Sequence, residues 1–333
     1  MITFRSEIFP ENFNTKISYS DSIFSLGSCF AENIGLKMTE LKFSILINPF
    51  GIIYNPASIA SSIDSIIQNK KFNEQDLYFI NDKYISFNHH GRFSAEIKTE
   101  ILNNINEQVL QANEYLKKSR FLFITFGTSW VFKLKTTNKI VANCHKLPSS
   151  EFEHYSLSVA NIIDLYTPIL KKIQQLNNHI NIIFTVSPVR HWKNGAVQNQ
   201  YSKSVLIVAI HDLLRQFKFC SYFPSYEIMM DDLRDYRFYG EDLFHPNQTG
   251  IDYIWNKFKK CYLSDESEAI SIKIEKLNKS MQHRVFYPKS PSYKKFIESN
   301  LSAIKELKIT FPELDFEKEF DFFTRELQKY FGN

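Results

Sequence analysis

The sequence predicts an α/β protein: a three-layer α/β/α sandwich around a central, mostly parallel sheet, with a helical extension at its C-terminus. Three observations carry this expectation. Short apolar runs rich in Ile, Val, Leu and Phe alternate with longer helical stretches. Those runs are apolar at nearly every position, as expected of strands buried on both faces. Beyond residue 263 they stop, and charged segments of helical character take over.

In chain order, Ile23–Leu26 reads as the first buried strand and Ala31–Leu41 as the helix that follows it. Phe43–Ile47 and Ala57–Asn69 repeat the pair. Tyr78–Phe87 reads as an inserted hairpin turning at Asn81-Asp82-Lys83, because Asn and Asp tolerate the backbone of a tight turn. Helix Glu100–Lys118 leads to strand Phe121–Phe126. A second inserted hairpin, Trp130–Ala142, turns at Thr136-Thr137-Asn138. Helix Leu157–Asn177 and strand Ile180–Val186 follow. The amphipathic run Ile251, Ile254, Trp255, Phe258 closes a domain spanning residues 1–263. Residues 264–333 form the extension: a charged helix over Ser264–Gln282, the connector His283–Pro288, and two more helical segments ending near Tyr330. It is expected to pack on the domain or to supply a lid.

Composition narrows the function classes. The 333 residues carry 40 basic and 36 acidic side chains, a net charge of +4, and no basic run interleaved with aromatics, so a nucleic-acid partner is not expected. The 31 Phe and 17 Tyr supply ample core. Cys29, Cys144, Cys220 and Cys261 are far apart, which argues against a zinc site or a disulfide framework. The N-terminus lacks the pattern of a secretory signal, and no stretch approaches the ~18 apolar residues of a membrane span. The expectation is a cytoplasmic protein without membrane contact. Nothing in the sequence speaks to oligomeric state.

In an open α/β sheet, ligands gather outside the carboxyl ends of the strands. Ser28, Gly51, Gly127 and Ser187 each follow an apolar run, so their loops should converge there. Ser28 is answered late in the domain by Asp242-Leu243-Phe244-His245-Pro246. A serine hydroxyl is a poor nucleophile until an imidazole accepts its proton, and that imidazole needs a carboxylate on its other nitrogen. An Asp three residues before a His lets one turn carry both base and orienter. Ser28, Asp242 and His245 are therefore the candidate catalytic residues. Ser28 has a second use as a helix N-cap, and Asn247 or Thr249 is placed to cap the helix after His245.

Gly27-Ser28-Cys29-Phe30-Ala31 contains the five-residue signature of the GSCFA family, and the chain resembles that branch of the SGNH (GDSL-like) hydrolases. In the wider group a Gly-Asp-Ser block carries the nucleophile and an Asp-x-x-His block the base; here Gly27 directly precedes Ser28, without the intervening Asp. The resemblance implies an esterase or deacetylase acting on an ester or acyl group, with a small-molecule or carbohydrate ester as substrate and neither cofactor nor metal. An acyltransferase using the same triad, and a non-catalytic binding module on the same fold, are the alternatives. It also implies an oxyanion hole made by the N–H groups of Ser28 and Gly51. Gly127-Thr128-Ser129-Trp130 stands where the wider group has Gly-x-Asn-Asp, so Ser129 occupies the position of the third donor. That donor is Ser129, the side chain of Asn48 or Asn55, or absent.

Other residues are candidates for the pocket. Gly127 lies at a strand end, and Arg190 and His191 follow the strand Ile180–Val186, where Arg190 has the fork to hold a carboxylate or phosphate. His145 ends an inserted hairpin within reach of the cleft. Cys29 is the chemical rival to Ser28, but its side chain is expected to turn into the core. The pair His89-His90 points its rings apart if it lies on a strand. Asp231-Asp232 reads as a solvated turn.

Overall fold

The computed structural model describes residues 6–11 and 13–332, and these divide into two compact units, one running to Leu263 without residues 40–42, the other formed by 40–42 and the residues from Ser264 onward. The first unit begins with β1 (Ser22–Gly27), α1 (Cys29–Glu40), β2 (Ser44–Ile47) and α2 (Pro56–Ile67). A hairpin of β3 (Tyr78–Ile80) and β4 (Lys83–Ile85) precedes α3 (Lys98–Lys118) and β5 (Phe121–Phe126). Three short strands follow, β6 (Trp130–Leu134), β7 (Lys139–Val141) and β8 (Phe152–Ser156), and then α4 (Val159–Leu176) and β9 (Asn181–Val186). The unit ends with α5 (Gly195–Gln216), β10 (Cys220–Phe223), α6 (Ser225–Met230) and α7 (Gln248–Tyr262).

Five parallel strands form the central sheet in the order β2-β1-β5-β9-β10. Phe24, Leu122, Ile182 and Phe184 are fully buried, which is why these strands carry apolar residues almost throughout. The chain moves outward from β1 to β2 and then returns to the other side of β1 as β5. At such a reversal the loops after β1 and β5 diverge and leave a crevice. Gly27 closes β1 with φ +145°, and a Cβ there would lie 2.4 Å from the Thr125 carbonyl oxygen, so the strand end admits no side chain. Pro56 opens α2 after the cap Asn55, whose Oδ1 accepts the Ser58 N–H at 2.8 Å.

The fold class matches the sequence expectation, with local differences. Helix α1 starts two residues early, directly after Ser28. The edge strand β10 and the long α5 escape the pattern of apolar runs: β10 is four residues with a half-exposed middle, and the first part of α5 is polar. The hairpin β6–β7 gains a third strand, β8, pairing antiparallel with β6. Asn81 and Asp82 turn the first hairpin with φ of 50° and 60°. The two insertions share a small core of Ile85, Phe87, Leu134, Val141 and Phe152.

The second unit consists of α8 (Asp265–Met281), α9 (Pro291–Thr310) and α10 (Glu317–Phe331). Ser264 and Ser290 cap the first two helices. Phe296 packs on Phe323 with ring centroids 6.3 Å apart, and Lys42 pairs with the buried Glu319 at 3.0 Å. Among the described residues, no helix is long and apolar enough to cross a membrane.

Candidate active site

Ser28 is placed by a strand end held on both sides. The Gly27 N–H donates to Asn48 Oδ1 at 2.9 Å, and the Gly27 carbonyl accepts the Ile53 N–H at 3.0 Å. Ser28 is 3 % exposed. Its Oγ accepts the Phe30 N–H at 3.3 Å and its carbonyl accepts the Glu32 N–H at 3.3 Å, so it also starts α1. The cap contact is long, which leaves the hydroxyl weakly held by the helix it opens.

The opposite side is a loop folded around one carboxylate. Asp242 Oδ1 accepts the N–H groups of Phe244 and His245, each at 3.0 Å, and Oδ2 lies 2.5 Å from His245 Nδ1. The His245 N–H, then the Phe244 N–H and the His245 ring, hold the Asp242 carboxyl down at about 2. An ionised Asp242 accepts a hydrogen bond from Nδ1–H, which leaves Nε2 as the basic nitrogen. Leu243 adopts φ +62°, a conformation disfavoured for a branched side chain. The Gly240 N–H closes the loop onto the His245 carbonyl at 2.8 Å, and Asn247 caps α7 immediately afterwards. The Asp242–His245 contact and the start of α7 thus lie in one segment.

Ser28, Gly127, Ser187, Arg190, His191 and His245 line one pocket of about 420 Å³ at the carboxyl edge of the sheet. No hydrogen bond joins the Ser28 hydroxyl to the His245 ring in this structure. One wall is aromatic. Trp192 stacks on Phe244 at 5.4 Å, and Tyr54 meets His191 at 5.3 Å. The Arg190 N–H donates to the Phe244 carbonyl at 3.1 Å, tying the loop after β9 to the loop that carries His245. Burial, then the cations Lys203 and Lys193, push the His191 imidazole down to about 4, so His191 is neutral at pH 7.

Several expectations need correction. The Gly51 N–H is committed to the Asn48 carbonyl at 2.7 Å, because φ +80° turns the chain back on itself; Ile52, not Gly51, lines the pocket. Ser129 is fully buried and outside the pocket lining. Its N–H goes to Ser202 Oγ at 2.7 Å and its hydroxyl meets Ser156 Oγ at 2.8 Å; Ser156 in turn donates to the Leu157 carbonyl, so Ser129 supplies the hydrogen. Asn55 spends both side-chain groups on Ser58 as a cap. Asn48 alone of the three keeps a buried side-chain N–H with no partner among the described residues, while its Oδ1 anchors Gly27. His145 donates from Nε2 to the Ser86 carbonyl at 2.9 Å within the insertions, away from the pocket lining. His89 and His90 lie in a loop, where His89 is buried against Phe50 and burial pushes it down to about 3. Asp232 is not solvated: it is buried and binds the Ile8 N–H and the Tyr253 hydroxyl, each at 2.8 Å. Cys29 lines the pocket after all, half-buried, with its thiol pushed up by burial and therefore poorly nucleophilic.

The sequence reading missed Lys203. Its side chain is fully buried under the pocket floor, and Nζ donates to the carbonyls of Gly127 and Ser187, each at 2.7 Å. Burial pushes it down to about 7. One lysine thus pins the two loops that follow β5 and β9. The signal was present: Lys203 sits three residues before Leu206 and seven before Ile210, on the stripe that α5 buries.

Among solved structures, the chain is similar to a carbohydrate esterase family 3 protein from Talaromyces cellulolyticus, at 8% identity and TM-score 0.37 over 76% of this chain and 99% of the other. It is also similar to a Clostridium thermocellum family 3 carbohydrate esterase, at 13% identity and TM-score 0.34 over 75% and 98%. At those scores neither likeness bears on what this chain does. No curated protein matches it. Two family matches are specific: the GSCFA family over residues 22–258, and the C-terminal domain of GSCFA domain proteins over residues 274–329. The first contains Ser28, Asp242 and His245 and spans more than half of the sequence, and on that ground the chain belongs to the GSCFA family.

Proposed function

We propose that the protein is a serine hydrolase of esterase type, working through Ser28, His245 and Asp242 on a small-molecule or carbohydrate ester. The observation that carries the reading is that His245, hydrogen-bonded to Asp242, lines the same pocket as Ser28, at the point where the sheet order reverses. In this reading His245 Nε2 takes the Ser28 proton as Oγ attacks the acyl carbonyl. Asp242 fixes the tautomer and stabilises the imidazolium. The tetrahedral oxyanion is met by main-chain N–H groups at the start of α1, Ser28's own among them, where the helix dipole also favours negative charge. His245 returns the proton to the leaving alcohol, and water releases the acyl group by the same steps.

Catalysis is assigned to the unit ending at Leu263. The reading includes a cytoplasmic setting, on which the four unpaired cysteines bear. Fluorophosphonate labelling is the test. A competent serine is labelled at Ser28 and loses the label in Ser28→Ala; an unlabelled wild-type protein would mean a binding module. An acyltransferase would be labelled equally but would pass the acetyl of an aryl ester to an added sugar faster than to water.

A further inference from the structure

The ionisable residues lining the pocket include no carboxylate. They are Cys29, Tyr54, Arg190, His191, Lys193 and His245. Arg190 and Lys193 are the two permanent cations, and neither has an ion-pair partner among the described residues. Each instead lies over a ring: the Arg190 guanidinium carbon is 4.3 Å from the centroid of Trp192, and Lys193 Nζ is 4.3 Å from that of Phe132. Stacking holds a cation in place through its face and leaves the N–H groups of its edge open to a ligand. Lys203 lies beneath the floor and donates to the Gly127 and Ser187 carbonyls, with no carboxylate bonded to it. The His191 imidazole is pushed down first by burial and then by Lys203 and Lys193. The net +4 of the chain does not require this, because 36 acidic side chains are available elsewhere.

We propose that this pocket recognises an ester carrying a second, anionic group, held by the Arg190 fork and Lys193 while the acyl carbon lies at Ser28. The inference rests on the serine-esterase reading for its chemistry but on Arg190 and Lys193 for its specificity. The backbone N–H of Arg190 donates to the Phe244 carbonyl, which ties the segment bearing this cation to the loop carrying His245, while Trp192 holds the guanidinium itself. A carboxylate and a phosphate both fit a guanidinium fork. The probes must separate them.

The experiment compares 3-acetoxybenzoate, its methyl ester and 3-acetoxyphenyl phosphate as substrates of the whole protein. The expected result is a kcat/KM at least about tenfold higher for a charged ester than for methyl 3-acetoxybenzoate, the order of one charge-assisted hydrogen bond. The better of the two charged probes identifies the anion. The ratio of charged to neutral kcat/KM should fall towards one in Arg190→Ala, fall less in Lys193→Ala, and shrink as salt is raised. Equal rates on charged and neutral esters in the wild-type protein would overturn the proposal while leaving the esterase reading standing. If no ester is cleaved and no fluorophosphonate label appears, the esterase reading fails. The subsite is then decided by calorimetry with 3-hydroxybenzoate on wild-type and Arg190→Ala protein. Binding weakened tenfold or more by the substitution supports it, and equal or absent binding overturns it.

Discussion

Ser28 is 3 % exposed at the end of a strand paired on both sides, whereas the His245 and Asp242 side chains keep 55% and 48% of their surface in solvent. The proposed nucleophile belongs to the core: Gly27 is pressed on Thr125, and Asn48 and Ile53 bond its N–H and carbonyl. The proposed base belongs to a surface loop organised by one carboxylate and strained at Leu243. The difference teaches where motion is available. Ser28 is held by the packing of the sheet, whereas the loop that carries His245 is exposed, so adjustment between the two is expected on the loop side.

The largest expected effect breaks the rigid side. Ser28→Ala should abolish fluorophosphonate labelling and lower kcat on short-chain aryl esters by about 10⁴-fold or more, while Cys29→Ala keeps most of both. Loss of labelling in Cys29→Ala instead would reverse the assignment. Next comes the loop. Asp242→Asn should lower kcat by roughly 10²- to 10⁴-fold, since an amide no longer enforces the tautomer with a basic Nε2. It should leave the melting temperature nearly unchanged, because the side chain is exposed; a large drop in Tm would mean that the loop is part of the core.

A third experiment probes the floor that joins the two sides. Lys203 has a folded pKa of about 7 against about 10.4 when unfolded, so between those values the unfolded chain binds more protons and stability rises with pH. Unfolding free energies from urea titrations between pH 7 and 9 should climb in the wild-type protein by the order of a few kcal/mol, and that climb should be missing in Lys203→Met. The same climb in both proteins would show that Lys203 does not titrate as its burial implies. The smallest effect concerns Ser129. With both its donors turned towards Ser202 and Ser156, Ser129→Ala should change kcat by less than about threefold, against the 10²-fold of an oxyanion donor, and cost about 1 kcal/mol of stability. Asn48→Ala should cost more activity than Ser129→Ala, because it frees the Gly27 peptide.

The layered fold was legible because β1, β5 and β9 are buried on both faces and so carry unbroken apolar runs. The short edge strand β10 was not, since an edge pairs on one side only and tolerates Ser221 and Tyr222. Asp242 and His245 were legible as a dyad because both lie in one turn, where spacing along the chain is spacing in space. The donors opposite them were not. Whether Gly51 or Ser129 offers a hydrogen to the pocket depends on what else competes for it, and the competitors Asn48, Ser156 and Ser202 lie on other segments. Lys203 escaped for a related reason: a lysine inside a polar helical turn looks solvated until the carbonyls it serves are brought together by β5 and β9.

The separation of Ser28 from the Asp242–His245 loop also bears on when the protein becomes competent. Ser28 follows the first strand of the described sheet, which is complete at Phe223, yet the proposed base His245 comes only with the loop leading into α7. Domains fold as units as they leave the ribosome. A growing chain therefore holds its serine without a base through almost the whole synthesis of the domain. On the proposed function, chains ending before Asp242 would be hydrolytically silent, and the appearance of ester cleavage in a timed translation reaction would report arrival of the loop before α7.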